Sequence, residues 1–407
     1  MMRPAQHEAS MADPDTGRHP RHPASHLKHL EHLEHEAAAR ALHLLEEPLR
    51  HVERYETSAW ADIKAFTLHG KRAAIALRVT GAILAAVLIA HVIGLEMPVW
   101  AGISALRVFQ NDSTDTLLRG LERIVGTFVG VGLAFAIMLG GAHLWFVYLA
   151  TGLVCAGAVY AQAVSRYSYA FILVGFTVPL MTYHAISSSE PIAHVILMRG
   201  LEVCLGVAIA TLVDYFTSRK HTSHAPQKPL IGDLDPVFLG HALTVGIAVT
   251  AVPVIWTTFH LPGFDQTPIT AFIVVGAAKE GIGWKSLNRC MGCVLGAMLG
   301  LVGMLVLKDS FLPWLAFLAF GLFLFTQICY GGSAIAYTGV QAAIAFLLIL
   351  VQEPIPHLDI DAGFARMWGI AGGIALVMVV GLITWPVRRR IHERVTAHGR
   401  AAHQRAD

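Results

Sequence analysis

The chain has 407 residues, of which 55% are hydrophobic and only 14% are charged, and its formal net charge at pH 7 is +2. Its mean hydropathy of +0.56 indicates more apolar surface than a soluble fold of this length could bury, which excludes a soluble globular protein. We predict an all-α integral membrane protein, and nucleic acid is not expected among its partners.

Residues 1–70 form a polar prefix without the basic end and apolar core of a secretory signal peptide. Apolar residues at helical spacing predict an amphipathic helix from about Ser25 to Tyr55, lying on the cytoplasmic surface. Ten of the 22 histidines precede residue 70, several at steps of three or four. Such spacing could bind a transition metal, but a solvated polar face explains it as well, because no cysteine joins the histidines. We predict no metal site, and a metal-responsive scaffold remains the third candidate function.

Twelve apolar runs follow the prefix, and ten of them reach or approach the ~20 residues that cross a bilayer. A spanning segment must satisfy its own backbone hydrogen bonds, so all twelve are predicted to be helices. Two runs, over 97–110 and 267–278, are short or broken. The longer runs lie near 73–93, 121–139, 143–163, 169–186, 194–217, 238–258, 287–307, 312–330, 334–351 and 364–385.

One stretch of the chain occurs twice. Residues Leu118 to Gly130 are echoed by Trp284 to Gly296, 166 residues later, and in both copies glycines follow an arginine along one helix face. The echo predicts a tandem duplication into two parallel six-helix repeats, related by an axis along the membrane normal. The predicted regions are the prefix over 1–70, the repeats over 71–217 and 238–387, a cytoplasmic linker over 218–237 and a basic tail over 388–407.

Lysine and arginine are concentrated in the prefix, the tail and the connections that share one side of the membrane if the helices alternate in direction. Because cytoplasmic loops carry an excess of these residues, both termini are predicted to be cytoplasmic.

The second segment of each repeat is short and is followed by a polar break, which in transporters indicates a substrate site. The helix that begins at each break offers unpaired N–H groups and a positive dipole end, which would attract an anion such as a carboxylate. Two basic residues reinforce each end: Arg119 and Arg123 in the first repeat, Lys285 and Arg289 in the second. Anchoring of these side chains at lipid headgroups explains the same positions, so both interpretations stay open.

Further residues extend the candidate substrate site. Arg199 and Arg366 lie at predicted outward helix ends, where positive residues are disfavoured, and would form an outer gate for anions. Trp100 lies beside a short segment, and Asp115 is a carboxylate beside a polar break. Glu202 is the carboxylate predicted to be buried and is the candidate for proton coupling, although an intrahelical ion pair with Arg199 also explains it.

No nucleophile with a nearby base and no nucleotide-binding signature occurs in the sequence, so neither an enzyme nor ATP-driven transport by this chain is expected. All five cysteines lie in apolar runs. Cys290 and Cys293 are interpreted as packing residues, and no cofactor is predicted.

Three stretches carry a family resemblance: Pro98-Val-Trp-Ala-Gly-Ile-Ser, the segment from Leu118 to Gly130, and Arg199-Gly-Leu-Glu-Val-Cys-Leu-Gly206. They resemble the fusaric acid resistance family of bacterial inner-membrane proteins, which includes aromatic carboxylic acid exporters. The resemblance covers 71–217 well and 238–387 more weakly. It implies proton-driven efflux of hydrophobic or aromatic carboxylic acids, in some members with a periplasmic adaptor. Many members carry a large soluble domain between the halves, where this chain has only residues 218–237.

The first hypothesis is therefore a secondary exporter of small organic anions in a bacterial inner membrane, with the lipid bilayer, a periplasmic adaptor and a second copy of the chain as expected partners. The arrangement is also similar to that of plant malate channels, in which a six-helix unit dimerises. A passive organic-anion channel is the alternative.

Overall fold

All regular secondary structure in the described part of the chain is helical. The computed structural model describes residues 50–110, 113–140, 143–187, 191–217, 236–276, 282–307, 310–351 and 360–403, and these ranges contain thirteen α-helices and no β-strand. Long apolar runs form helices because only a helix satisfies the backbone of each segment from within. The helices are α1 (50–64), α2 (Gly70–Val92), α3 (Pro98–Val108), α4 (Ser113–Gly140), α5 (Leu144–Val164), α6 (Ser168–Ser187), α7 (Ile192–Thr217), α8 (Pro236–Phe259), α9 (Gln266–Gly276), α10 (Ile282–Leu307), α11 (Phe311–Cys329), α12 (Ala336–Leu350) and α13 (Ile360–His403).

Nine of the described helices are long and apolar enough to cross a membrane. They are α2, α4 to α8, α10, α11 and the Met367–Val387 part of α13. Helices α3 and α9 have 11 residues each, so each is about 16 Å long, roughly half the thickness of the hydrocarbon core. Helix α12, predicted as a long run over 334–351, has only 15 residues and is not among the nine. The chain is therefore a multi-pass membrane protein whose described helices include three short ones, α3, α9 and α12.

The predicted apolar runs each overlap one of the helices α2 to α13, and the two short runs are α3 and α9. Two boundaries differ from expectation. Helix α13 continues through the predicted tail to His403, and α1 continues past Tyr55 to residue 64. Residues 1–49, with the histidine-rich segment, and residues 218–235 of the linker lie outside the described residues. The described residues from Glu53 onward belong to one compact unit.

The end of α1 is held by polar contacts, which explain why the helix extends further than its sequence pattern suggests. Asp62 forms an ion pair with Arg72 at 2.9 Å and accepts a hydrogen bond from the Ser333 hydroxyl. The Gln327 side chain donates to the Thr67 carbonyl at 2.5 Å. Asp62 is only 6% exposed, so this carboxylate is paired within the protein rather than solvated.

Helix α1 also covers the start of α10. The Arg54 guanidinium carbon lies 4.6 Å from the ring centroid of Trp284, and the Tyr55 ring lies 6.2 Å from the same indole. Trp284 is therefore only 2% exposed. Leu118, the residue in the same position of the sequence echo, is 51% exposed.

Glycines allow close helix crossings at matching places in the two halves. Gly126 of α4 lies against the carbonyl group of Ala170 in α6, and Gly292 of α10 lies against the carbonyl group of Thr338 in α12. A Cβ atom at either glycine would collide with the neighbouring backbone. Small residues at such positions let two helix backbones approach closely in a membrane.

The short helices are packed in the same way. Gly206 of α7 lies against the carbonyl group of Ala101 in α3, and Gly373 of α13 lies against that of Thr267 in α9. Between the halves, α5 packs against α8, and α11 packs against α2. The first long helix of each half therefore meets the fourth helix of the other.

Both short helices end against a polar side chain of the opposite half. The Tyr330 hydroxyl, which follows α11, donates to the Phe109 carbonyl just after α3 at 3.1 Å. Gln162 in the last turn of α5 lies against Gly276 at the end of α9. Helices α3 and α9 thus end where α4, α6, α10 and α12 begin, and we call this the basic end of the bundle.

We expect Gly126→Ala to lower the free energy of unfolding by about 1–3 kcal/mol, because the added methyl group would push α4 away from α6. Gly132→Ala is the matched control on the same helix, since no atom lies within 4 Å of the Cβ position there. Thermal unfolding of the detergent-purified protein measures both variants. Equal melting temperatures for the two would contradict the close crossing at Gly126.

Candidate functional site

Arg123 of α4 lies inside the protein at the basic end. Its Nε donates to Ser104 Oγ in α3 at 3.0 Å, and its Nη1 donates to Tyr169 Oη in α6 at 3.1 Å. The residue is only 5% exposed. The close crossing of α4 and α6 next to Gly126 brings the guanidinium group and the tyrosine within reach of each other.

Arg289 of α10 has an equivalent environment in the second half. Its Nη1 donates to Gln341 Oε1 in α12 at 2.8 Å, and its Nη2 donates to Thr270 Oγ1 in α9 at 3.2 Å. The residue is 3% exposed, and its Nε has no hydrogen-bond partner among the described residues. Thr270 follows Ser104 by 166 residues, the same interval that separates Arg289 from Arg123.

The partners of both arginines are neutral. Within the described ranges, no carboxylate lies at salt-bridge distance from Arg123 or Arg289. A buried charge is normally paired, because the low dielectric of the interior makes an uncompensated charge costly. The side chains of Arg123 and Arg289 also point into the protein, whereas a side chain that anchors to lipid headgroups would reach the surface. The two sites therefore hold positive charge without a counter-ion among the described side chains.

The second basic residue of each pair has a different role in each half. The Arg119 guanidinium carbon lies 4.9 Å from the ring centroid of Tyr169 and adds to the positive field around Arg123. Lys285 Nζ donates to the Ile273 carbonyl in the last turn of α9 at 2.7 Å, and it lies 5.5 Å from the ring centroid of Tyr337. Lys285 therefore neutralises the negative end of a short helix.

Arg199, Trp100 and Glu202 come together at the opposite end of the bundle. The Arg199 guanidinium carbon lies 3.9 Å from the ring centroid of Trp100, and its Nη1 lies 3.5 Å from Glu202 Oε2. The Met97 backbone N–H donates to Glu202 Oε1 at 2.8 Å. Glu202 is 1% exposed, whereas the Trp100 indole nitrogen and Arg199 Nε have no hydrogen-bond partner in the described part of the chain. The cluster therefore contains a carboxylate that is already paired and two N–H groups that have no acceptor among the described residues.

Two predicted site residues are not joined to these clusters. Asp115 lies in the first turn of α4 and makes none of the contacts described for Arg123 or Arg199. The side chain of Arg366 lies outside the described residues.

Sequence reasoning missed the polar residues that receive the two arginines. Ser104 and Thr270 are hydroxyl residues at the repeat interval, which was a usable signal. Tyr169 and Gln341 differ from each other in type and lie on helices distant in sequence, so only the helix crossings reveal them.

Another missed contact is ionic in one half and neutral in the other. Arg78 of α2 pairs with the buried carboxylate of Asp214 in α7 at 2.5 Å. Arg78 Nε also donates to Thr217 Oγ1 at 2.7 Å. The residues that match this second contact, Thr244 and Thr384, have their hydroxyls 3.2 Å apart, whereas Gly381 occupies the position that matches Asp214. The two halves thus share a packing scheme but not a charge distribution.

We expect Arg199→Gln to destabilise the protein by about 3–5 kcal/mol, because it leaves the Glu202 carboxylate buried without its cation. The double variant Arg199→Gln, Glu202→Gln removes both charges and should recover most of this loss. Thermal unfolding in detergent gives the comparison. A double variant as unstable as the single one would show that the ion pair is not the cause.

Two segments of the chain match family models, and their ranges contain most of the residues described above. The model of the fusaric acid resistance protein family matches residues 72–232, and the fusaric acid resistance protein-like model matches residues 247–380. No curated protein and no solved structure matches the chain. The matched ranges hold Arg123 and its partners in one case, Arg289 and its partners in the other. The chain belongs to the fusaric acid resistance family, a family of membrane transport and efflux proteins.

Proposed function

We propose that the protein is a secondary exporter of organic anions, of the hydrophobic or aromatic carboxylic acid class, driven by the proton gradient. The observation that supports this most strongly is the pair of buried guanidinium groups, Arg123 and Arg289, whose hydrogen-bond partners in the described ranges are all neutral. A carboxylate that bound beside either group would supply the missing counter-ion and form charge-assisted hydrogen bonds.

The two six-helix repeats over 71–217 and 238–387 provide the framework for this proposal. Equivalent glycine crossings, equivalent arginine contacts and reciprocal packing of the first and fourth helices support a pseudo-twofold relation. Transporters with internal repeats place the substrate where the repeats meet. The pseudo-twofold axis would then lie between two anion sites that have similar arrangements of residues.

Arg199 and Trp100 form the gate at the opposite end in this proposal. The Trp100 indole N–H and the Arg199 Nε, which have no acceptor among the residues that the structure describes, offer donors to a departing anion. Their stacked arrangement, with a 3.9 Å separation, also presents an apolar face suited to an aromatic ring.

Glu202 is the proposed proton carrier. It is buried, it lies within the same cluster as Arg199, and it is held by the Met97 N–H. Gly369 occupies the equivalent position in the second half, so the coupling would be asymmetric. Cytoplasmic termini, a bacterial inner-membrane location, a periplasmic adaptor and self-association remain predictions from charge distribution and family membership.

The double variant Arg123→Gln, Arg289→Gln should lower the kcat/KM of anion export by about a hundredfold to ten-thousandfold, because each change removes a charge-assisted contact of about 1.5–3 kcal/mol. Uptake of labelled benzoate into inverted membrane vesicles under an imposed pH gradient measures the effect.

Arg166→Gln is the matched control for that experiment, since Arg166 lies between α5 and α6 at the basic end but is exposed. It should transport at the wild-type rate. If the double arginine variant inserts normally in the membrane and transports at the wild-type rate, both arginines have only a structural role.

Glu202→Gln separates coupled export from passive conduction. If Glu202 carries the proton, the variant should lose the dependence of benzoate flux on the pH gradient, while flux down a benzoate gradient persists. The same vesicles measure both fluxes with and without a protonophore. Wild-type flux that ignores the protonophore would instead favour the channel.

A further inference from the structure

Large apolar side chains are exposed along one side of helix α1 and in the connection to α2. Trp60 and Ile63 lie three residues apart on one face of α1, and Phe66 and Leu68 follow the helix. These four side chains, which we call the apolar edge of α1, are between 39% and 70% exposed. Single exposed apolar residues are common on proteins, but a contiguous group of them marks an interaction surface.

The other faces of α1 show how the apolar edge is oriented. One face holds the helix to the protein and consists of Arg54, Tyr55 and Asp62. A second face is polar and faces away from the protein, and it consists of Glu53, Thr57 and Lys64. Successive residues of a helix are about 100° apart, which places Trp60 and Ile63 on a third face between these two. A helix that lies at a membrane–water boundary beside a protein needs these three faces.

Phe66 shows that the apolar edge lies beside the membrane-crossing part of the protein. Its ring centroid lies 6.3 Å from that of Phe323 in α11, and the two rings are nearly perpendicular. Phe323 lies six residues before the end of α11 at Cys329, which is about 9 Å along the helix axis. Helix α11 is long and apolar enough to cross a membrane. Phe66 therefore packs against the side of a membrane helix rather than over its end.

Basic residues next to the apolar edge complement a phospholipid surface. Lys64 and Lys71 are both exposed and precede and follow Phe66 and Leu68 in the sequence. Their long stems allow the ammonium groups to reach headgroup phosphates while the neighbouring apolar side chains insert. Tryptophan is enriched at this depth, because its ring is apolar and its N–H group is polar. Trp60 has the composition and the exposure of such an anchor.

We propose that α1 is an interfacial helix whose apolar edge inserts among the acyl chains of the leaflet at the basic end. The bilayer then holds α1 from one side, while the contacts of Asp62 with Arg72 and of Arg54 with Trp284 hold it from the other. The cover that α1 forms over Trp284 is therefore anchored in the membrane. This inference involves no transported solute and does not depend on the proposed function.

Fluorescence quenching in proteoliposomes that contain the full chain tests the inference. The emission of Trp60 is the difference between the wild-type protein and Trp60→Phe, which keeps an aromatic ring at that position. Phospholipids brominated near the headgroup end of their acyl chains should remove most of this emission, because an interfacial indole lies within their reach. Acrylamide in the aqueous phase should have a much smaller effect.

Two further variants in the Trp60→Phe background move the indole around the helix. Ile63→Trp keeps it on the apolar edge and should restore quenching by the brominated lipids. Thr57→Trp places it on the exposed polar face one turn earlier, where acrylamide should quench it and the lipids should not. All three positions are exposed or replaced by a ring of similar size, so the fold is not disturbed.

Two results would overturn the inference. Quenching of Trp60 by acrylamide alone would place the apolar edge in water. Protection of Trp60 from both quenchers would show that protein covers the edge instead of lipid. Dilution of the protein with lipid identifies that cover, since only a contact between two copies of the chain is lost on dilution.

Discussion

Each of two guanidinium groups is buried in this membrane protein with no carboxylate at ion-pair distance among the described residues, and the packing of the neighbouring helices follows from that burial. Arg123 and Arg289 each satisfy part of their donor capacity with hydroxyl, phenol or amide oxygens. Those oxygens accept hydrogen bonds from the guanidinium groups but carry no negative charge, so the electrostatic cost of burying the positive charge persists. The geometry needed to reach them accounts for much of the architecture. The short helices α3 and α9 place Ser104 and Thr270 beside the two arginines. The glycine crossings bring α6 and α12 close enough for Tyr169 and Gln341 to accept hydrogen bonds from them.

Much of the helical framework could be predicted from the sequence, because spanning helices need long apolar runs and little else. The short runs that became α3 and α9 were visible for the same reason. The extension of α1 was not, since it depends on Asp62 meeting Arg72 and Ser333, residues that come together only in the folded chain. Helix α13 likewise continues into a polar segment where the apolar signal ends.

The candidate site was predictable only in part. Arg123 and Arg289 were found because the sequence repeats around them, and Arg199 with Glu202 because they are spaced along one helix face. Tyr169 and Gln341, which accept hydrogen bonds from the two guanidinium groups, carry no such signal, because they differ in type and only the helix crossings bring them near the arginines.

The position of α1 makes the two halves unequal at the basic end. If Arg123 and Arg289 both bind anions as proposed, a solute that approaches Arg289 past Trp284 would first displace a helix held by an ion pair and aromatic contacts, whereas Leu118, at the matching position before Arg123, is half exposed. Occupancy of the two arginines would then be sequential even if their intrinsic affinities were identical. One helix packed over a single arginine would in this way give two similar sites a fixed order of loading.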